Sequence, residues 1–184
     1  MQSEVMFAGF GGQGIMISAK ILAHAAMNEG REVAWVPSYG PEMRGGTAYC
    51  TVVINDELIG SPIIRNPKYL VAMNRPSLEK FAPMVKPNGL ILINSSLISI
   101  KADRTDVEQL RIPVNDIALK LGNMRTANIV ALSALVFKTN IVSNKSLTAC
   151  VKSEFANKSK MMPLNIASIQ AGQEALKTRA VPEC

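Results

Sequence analysis

The sequence predicts an α/β protein with a mainly parallel sheet, an inserted antiparallel hairpin and a helical C-terminal third. Three observations predict this fold. A short apolar run ends in glycines and leads into an apolar helix, further apolar runs follow at residues 69–73 and 90–93, and the last third is helix-forming. The length of 184 residues fits a single domain over residues 1–184.

The first strand and the first helix are joined by a glycine-rich turn. Residues 5–10 are apolar and predict a buried strand, and residues 12–29 predict a helix without internal proline. A narrow polar stripe marks this helix at Lys20, His24 and Asn28. Residues 33–36 predict a second strand. Strand, helix and strand in this order predict a βαβ unit with parallel strands, the beginning of a Rossmann-like sheet.

An antiparallel element is expected to interrupt the parallel pattern. Residues 47–54 alternate between two faces, and a turn at 55–56 separates them from residues 57–60. One face of the first segment holds Ala48, Cys50, Val52 and Ile54. Alternation followed by a polar turn predicts a hairpin between residues 47–54 and 57–60.

Strands and a helix alternate beyond the hairpin. Residues 69–73 and 90–93 are continuous apolar runs, typical of strands covered on both faces. Between them, residues 77–84 predict a short helix with Ser77 as its N-cap. Residues 112–114 predict one more short strand.

Three helices are predicted in the last third. Residues 127–138 are apolar nearly all round, which predicts a buried helix. Leu147, Val151 and Phe155 mark the apolar face of the next helix, and Pro163 lies near the start of the last one.

The glycine-rich turn fits the pattern G-x-G-x-x-G, and its candidate contact residues are Gly9, Gly11, Gly12, Gln13 and Gly14. Glycines permit a tight turn and a close approach to the backbone, and the N–H groups of the helix N-terminus favour an anion. A dinucleotide site also needs an acidic residue at the end of the second strand, and the sequence has none there. The pattern therefore argues against NAD binding. Two roles of the turn remain open: it contacts another ligand, or it only packs the strand against the helix.

The loop after the second strand holds five candidate contact residues, Tyr39, Glu42, Arg44, Gly45 and Gly46. Because the carboxyl ends of parallel strands meet at one edge of a sheet, we expect this loop beside the glycine turn. Two glycines free the backbone beside Arg44, whose guanidinium can hold a carboxylate or phosphate in two-point geometry. Arg44 can equally pair with Glu42 and brace the loop. We predict a contact role, with ligand or partner.

Composition limits the functional classes. Hydrophobic residues make up 48% and charged residues 18% of the chain, which excludes a disordered protein. No apolar stretch reaches the ~20 residues of a membrane span. Apolar surface beyond the needs of one core favours a partner subunit. The net charge of +6 belongs to residues 117–184, where the basic residues are scattered singly through helix-like sequence. They predict a solvated helical face or a surface that meets an acidic partner or an anionic ligand, and no nucleic-acid motif is present.

The sequence holds no complete catalytic set. Cys50, Cys150 and Cys184 are too few and too far apart for a disulfide framework or a metal cluster, so no metal is expected in this chain alone. His24 is the single histidine and belongs to a polar stripe, which favours a surface position. The N-terminus has no basic region followed by an apolar one, and we expect a cytoplasmic protein.

Three more polar residues are candidates for a cleft at the carboxyl edge. Asn94 and Ser95 follow a predicted strand, and Asn128 lies at the start of an apolar helix. A simple turn at residues 94–96 and a helix cap at Asn128 or Thr126 are the alternatives.

Residues 7–14, FAGFGGQG, and residues 39–46, YGPEMRGG, occur in an order and spacing that together are quite specific. They resemble the gamma subunit of 2-oxoacid:ferredoxin oxidoreductases. The resemblance extends through residues 71–74 and 123–128 and covers essentially the whole chain. It implies one subunit of an enzyme that oxidatively decarboxylates a 2-oxoacid with coenzyme A, giving acyl-CoA and CO2, and passes the electrons to ferredoxin.

The resemblance also implies a division of labour. Alpha and beta subunits hold thiamine diphosphate and magnesium, and a ferredoxin-like, cysteine-rich subunit holds the iron–sulfur cluster. This chain would bind none of these cofactors alone and would be inactive alone. Tyr39, Met43 and Thr47 in the second loop resemble the enzymes that act on 2-oxoglutarate, although pyruvate and branched-chain substrates stay open.

Two other functions remain as alternatives, a stand-alone nucleotide-binding oxidoreductase and a non-catalytic structural subunit. If the chain is a gamma subunit, the glycine turn and the Arg44 loop are expected to border the route of coenzyme A to the thiamine site.

Overall fold

The computed structural model describes residues 2–38 and 48–177 of the chain. A six-stranded sheet in the order β2-β3-β1-β4-β5-β6 forms its centre. The strands are β1 Ser3–Gly9, β2 Glu32–Ser38, β3 Ala48–Asn55, β4 Tyr69–Ala72, β5 Leu90–Asn94 and β6 Glu108–Ile112. The helices are α1 Ile15–Met27, α2 Arg75–Phe81, α3 Val114–Lys120, α4 Ala127–Thr139, α5 Asn144–Glu154 and α6 Met162–Lys177.

The sheet is mixed, as the sequence predicts. β1, β4, β5 and β6 pair in parallel, whereas β3 lies between β1 and β2 and is antiparallel to both. β1 and β2 therefore run in the same direction, as expected for a βαβ unit, but they are not neighbours. The α/β fold class with its antiparallel interruption and its helical last third is confirmed.

The hairpin is formed by other residues than those predicted. β3 covers the predicted segment, and its residues Ala48, Cys50, Val52 and Ile54 share one buried face. Its partners are β1 and β2, with Glu32 opposite Asn55 and Ser38 opposite Tyr49. Residues 57–60 form no strand, and Leu58 is 86% exposed. The predicted pairing with residues 57–60 is wrong because a strand has two edges and both edges of β3 are already paired.

Both faces of the sheet are covered. Alternate side chains of β1 enter different layers, so that Phe7 packs with α1 and the C-terminal helices while Met6 packs with α2. β4 and β5 are buried on both faces, which confirms the interpretation of their continuous apolar runs.

Two element boundaries differ from the prediction. The N-cap of α2 is Asn74, whose Oδ1 accepts a hydrogen bond from the Ser77 backbone N–H at 2.9 Å, so the expected Ser77 cap is wrong. The last strand ends at Ile112, and α3 starts at Val114. Pro113 between them has no N–H for a β-ladder, which ends the strand before the predicted residues 113–114.

The last three helices pack as predicted, and α4 is buried along most of its length. α6 approaches α4 closely at Gly172, and Ser133 Oγ donates to the Ile169 carbonyl at 2.6 Å. The polar stripe of α1 faces α5 in part. Lys20 Nζ lies 2.9 Å from Glu154 Oε2, and His24 is exposed, as expected.

The outer strand β2 is the least covered part of the sheet. Trp35 is 41% and Val36 is 37% exposed, and Pro37 follows them in the strand. No helix among the described residues is long and apolar enough to cross a membrane.

Candidate functional site

The carboxyl edge of the sheet is where the candidate residues meet. β1 ends there at Gly9, and β4 and β5 end at Ala72 and Asn94. Gly9 lies opposite Ala48, and Ser38 lies opposite Tyr49, so both ends of the second loop flank the same edge. The loop's candidates, Tyr39, Glu42, Arg44, Gly45 and Gly46, lie outside the described residues. Their contact role stays a prediction.

The glycine turn needs glycine at specific positions. Gly12 and Gly14 have φ angles of 90° and 74°, in the left-handed region that favours glycine. A Cβ on Gly9 would lie 2.6 Å from Gln13 Oε1 and 3.0 Å from the Met73 Cβ. The strand, turn and helix therefore pack tightly here, and Gly11 is exposed at the tip of the turn.

The Gln13 side chain folds back into the crevice between β1 and β4. Its Oε1 accepts from the Phe10 backbone N–H at 2.7 Å and lies 3.4 Å from Asn74 Nδ2. Its Nε2 donates to the Met73 carbonyl at 3.2 Å. The Gln13 carboxamide thus accepts one N–H of the glycine turn and ties the turn to the end of β4.

Asn94 continues this carboxamide network. The buried Nδ2 of Asn94 donates to the same Met73 carbonyl at 3.2 Å and to Asn115 Oδ1 at 2.9 Å. Ser95 belongs to a turn, where its N–H donates to the Ile112 carbonyl at 2.9 Å. Asn94 therefore links the ends of β4 and β5 to α3 through its side-chain hydrogen bonds.

Asn128 braces the glycine turn from α4. Its Nδ2 donates to the Gly14 carbonyl at 3.1 Å, and its own carbonyl accepts from Ser18 Oγ at 3.2 Å. Asn128 is 5% exposed, and the atoms of its carboxamide occupy the space beside the Gly14 Cα. The turn and α4 are thereby held in one fixed arrangement.

An open cleft of about 150 Å³ remains above this network. Its lining residues come from the glycine turn, the end of β4, α3 and the segment before α4, and they are Gly12, Gln13, Met73, Asn115, Met124, Arg125 and Ala127. Sequence reasoning missed Asn115 and Met124 as cleft residues. The correct end of β6 would have pointed to Asn115, because residues after the carboxyl ends of parallel strands line such clefts.

The lining of the cleft is mostly neutral. Arg125 is the one titratable side chain among its described lining residues, and the others offer amides, thioethers and backbone groups. Cys50 is in the middle of the sheet, where burial raises the pKa of its thiol to about 12 against a weaker opposing contact with Trp35. In the described ranges, no three His, Cys, Asp or Glu side chains cluster as metal ligands would.

Replacing Gln13 with leucine is expected to loosen the glycine turn. The Phe10 N–H loses its acceptor, which costs about 1–1.5 kcal/mol and speeds its hydrogen exchange by roughly tenfold. Exchange measured by NMR checks this result. Gln170→Leu is the control, because Gln170 is exposed on α6. An unchanged Phe10 exchange rate in Gln13→Leu would contradict the role of Gln13.

The fold and the site define an α/β protein with an open, largely neutral cleft at the carboxyl edge of its sheet. The chain belongs to the family described as pyruvate ferredoxin/flavodoxin oxidoreductase, which it matches over residues 4–175. The resemblance drawn from the two loops is thereby confirmed.

Similar proteins include subunits of several such enzymes. The chain is 41% identical over 172 residues to the ketoisovalerate oxidoreductase subunit VorA of Methanothermobacter thermautotrophicus, covering 93% of this chain but 36% of that protein. It is 38% identical over 156 residues to the 2-oxoglutarate synthase subunit KorC of Methanocaldococcus jannaschii, covering 82% of each. The crystal structure of a keto/oxoacid ferredoxin oxidoreductase gamma subunit from Geobacter sulfurreducens superimposes with a TM-score of 0.84 at 30% identity, covering 96% of this chain and 99% of that one.

Proposed function

We propose that the chain is the gamma subunit of a multi-subunit 2-oxoacid:ferredoxin oxidoreductase. The proposed enzyme oxidatively decarboxylates a 2-oxoacid with coenzyme A to give acyl-CoA and CO2, and it passes the electrons to ferredoxin. The observation that carries the proposal is the match at 99% coverage to a solved gamma subunit of this enzyme class. The chain spans about a third of the VorA proteins, so in those relatives the matching region is part of a longer chain.

The partners in this proposal are alpha and beta subunits and a ferredoxin-like subunit. The partners hold thiamine diphosphate, magnesium and the iron–sulfur cluster, and the whole complex works in the cytoplasm. The described residues of this chain support that division, since the cleft offers one cation and neutral groups. In this proposal, the chain shapes and covers the active site, whose cofactors are bound by the other subunits.

The proposed substrate is a 2-oxoacid, and the second loop favours 2-oxoglutarate. The names of the similar proteins divide among 2-oxoglutarate, ketoisovalerate and pyruvate enzymes. All three acids are therefore compared as substrates in the test of the proposed function.

Reconstitution tests the proposed function. The remaining subunits of the complex, purified without this chain, are expected to show no coenzyme A-dependent reduction of ferredoxin with any of the three acids, and adding the chain is expected to restore it. The preferred acid is the one with the highest kcat/KM. Full activity without the chain would overturn the proposal.

Arg44→Ala is expected to raise the KM for coenzyme A by about tenfold with kcat nearly unchanged. A charged contact to a phosphate contributes about 1.5 kcal/mol or more, and its loss lowers affinity by that factor. Steady-state kinetics of the assembled complex measure both constants. Arg65→Ala is the matched control, since Arg65 is exposed in the connection at the opposite edge of the sheet. An assembled Arg44→Ala complex with an unchanged KM would exclude this contact.

A further inference from the structure

Arg65 and Arg125 are the two arginines of the described chain whose side chains have no hydrogen bond or ion pair, and of the two only Arg125 lines the cleft at the carboxyl edge. Arg125 lies in the short 3-10 turn Met124–Thr126 before α4, and its guanidinium is exposed and has no hydrogen bond or ion pair with any described residue. By contrast, Arg75 and Arg104 each pair with a carboxylate at 2.7 Å or less, and Arg111 donates to two backbone carbonyls. Among the described residues, Arg125 is thus a cation that lines a cleft without an anionic partner.

The size of the cleft limits what it can hold. Sites for cofactors and other drug-sized ligands commonly have about 300–1,000 Å³, whereas this cleft has about 150 Å³. That volume suits one side chain. The carboxamide of Asn115 offers polar contacts, and the thioethers of Met73 and Met124 offer adaptable apolar walls to the methylene groups of such a side chain.

The carboxyl edge of the sheet exposes apolar side chains. Met124, which lines the cleft, is 49% exposed, and Phe10 directly after β1 and Leu97 three residues after β5 are 39% and 51% exposed. Aromatic residues, methionine and arginine are enriched at protein interfaces. A free anion would neutralise Arg125 and leave these apolar side chains in water, whereas a protein segment covers both.

We propose that this cleft receives the side chain of an aspartate or glutamate from another subunit of the complex, with its carboxylate paired to Arg125. The inference rests on the proposed function and adds the position and the chemistry of a subunit contact. The charge is complementary, because none of the described lining residues is acidic. Asp116 on α3 does not line the cleft.

Charge reversal tests the contact in the full complex. Arg125→Glu is expected to weaken binding of the chain to the remaining subunits at least 30-fold, because an interfacial pair that loses its partner leaves a desolvated, repelled carboxylate. Binding is measured by interferometry with the remaining subunits immobilised. Arg65→Glu makes the same charge change at the opposite edge and is expected to leave the dissociation constant within twofold.

A cross-link identifies the source of the anion. In the Arg125→Lys complex, a zero-length carbodiimide is expected to join position 125 to an Asp or Glu of another subunit, and mass spectrometry of the digest locates both ends. Added phosphate or coenzyme A does not compete with this cross-link if the anion belongs to a subunit.

Four results overturn the inference. Arg125→Glu that binds like wild type, or Arg125→Lys that assembles without a cross-link to an acidic residue, removes the contact and leaves the gamma-subunit function standing. A cross-link abolished by coenzyme A assigns the cleft to the free anion. If the wild-type chain itself does not bind the remaining subunits, both the contact and the proposed function fail.

Discussion

Gly172→Ala is expected to lower the free energy of unfolding by about 2–4 kcal/mol. An added Cβ at this position would lie 2.5 Å from the Val130 carbonyl oxygen and 3.0 Å from the Ser133 Cβ. Both belong to α4, so the helices must move apart, and the hydrogen bond from Ser133 Oγ to the Ile169 carbonyl is stretched with them. Because α4 is buried against the sheet and α6, the strain spreads through the core on the sheet face that packs against α1 and the C-terminal helices.

Thermal and chemical unfolding measure this effect. The melting temperature is expected to fall by roughly 4–16 °C for a chain of this size. Gly60→Ala is the matched control, since nothing lies within 4 Å of its added Cβ, and its stability is expected to stay the same or rise slightly. Equal stabilities of the two variants would show that α4 and α6 do not pack as closely as described.

Gly14→Ala is expected to cost about 2–3 kcal/mol and to impair the carboxyl edge as well. Backbone strain and a steric clash both destabilise the variant at this position. The φ angle of 74° strains any residue with a Cβ, and the Cβ would lie 2.7 Å from Asn128 Nδ2. Relief of the clash moves Asn128, which otherwise donates to the Gly14 carbonyl.

Two variants separate the strain from the clash. Gly12→Ala meets no atom within 4 Å at a φ of 90°, so it is expected to show the backbone strain alone, about 1–2 kcal/mol. Asn128→Ala in the Gly14→Ala background removes the nearest clashing atoms, and a double-mutant cycle is expected to show coupling of about 1 kcal/mol. Additive losses would mean that the Asn128 carboxamide does not press on the turn.

The features that the sequence predicts correctly are local ones. The apolar run of β1, the glycine turn and α1 are adjacent in the chain, and their pattern shows in a short window. The pairing of β3 depends on which strands lie beside it, and its partners in β1 run from Gly9 opposite Ala48 to Ser3 opposite Ile54, far apart in the chain. The predicted hairpin to residues 57–60 is the shorter connection, but β3 pairs along both edges with β1 and β2, and six of its eight residues are buried.

The site shows the same limit. The glycines of the turn are visible in the sequence, whereas the partner of Gln13 is a carbonyl 60 residues away. The sequence predicts Asn94 and Asn128 near the edge as polar residues, but their roles depend on contacts with Met73 and Gly14 from distant segments. The Arg125 cleft exists because four separate segments meet, which no single stretch of sequence encodes.

The exposed outer strand β2 has a consequence for how the isolated chain behaves in a test tube. Other chains can pair with an open strand edge, extend the sheet and aggregate. Pro37 in β2 weakens such pairing, because it lacks the backbone N–H that a β-ladder needs. Trp35 beside it is the only tryptophan of the chain and is 41% exposed. Its fluorescence therefore offers a built-in optical signal of whether that edge is open to solvent or covered.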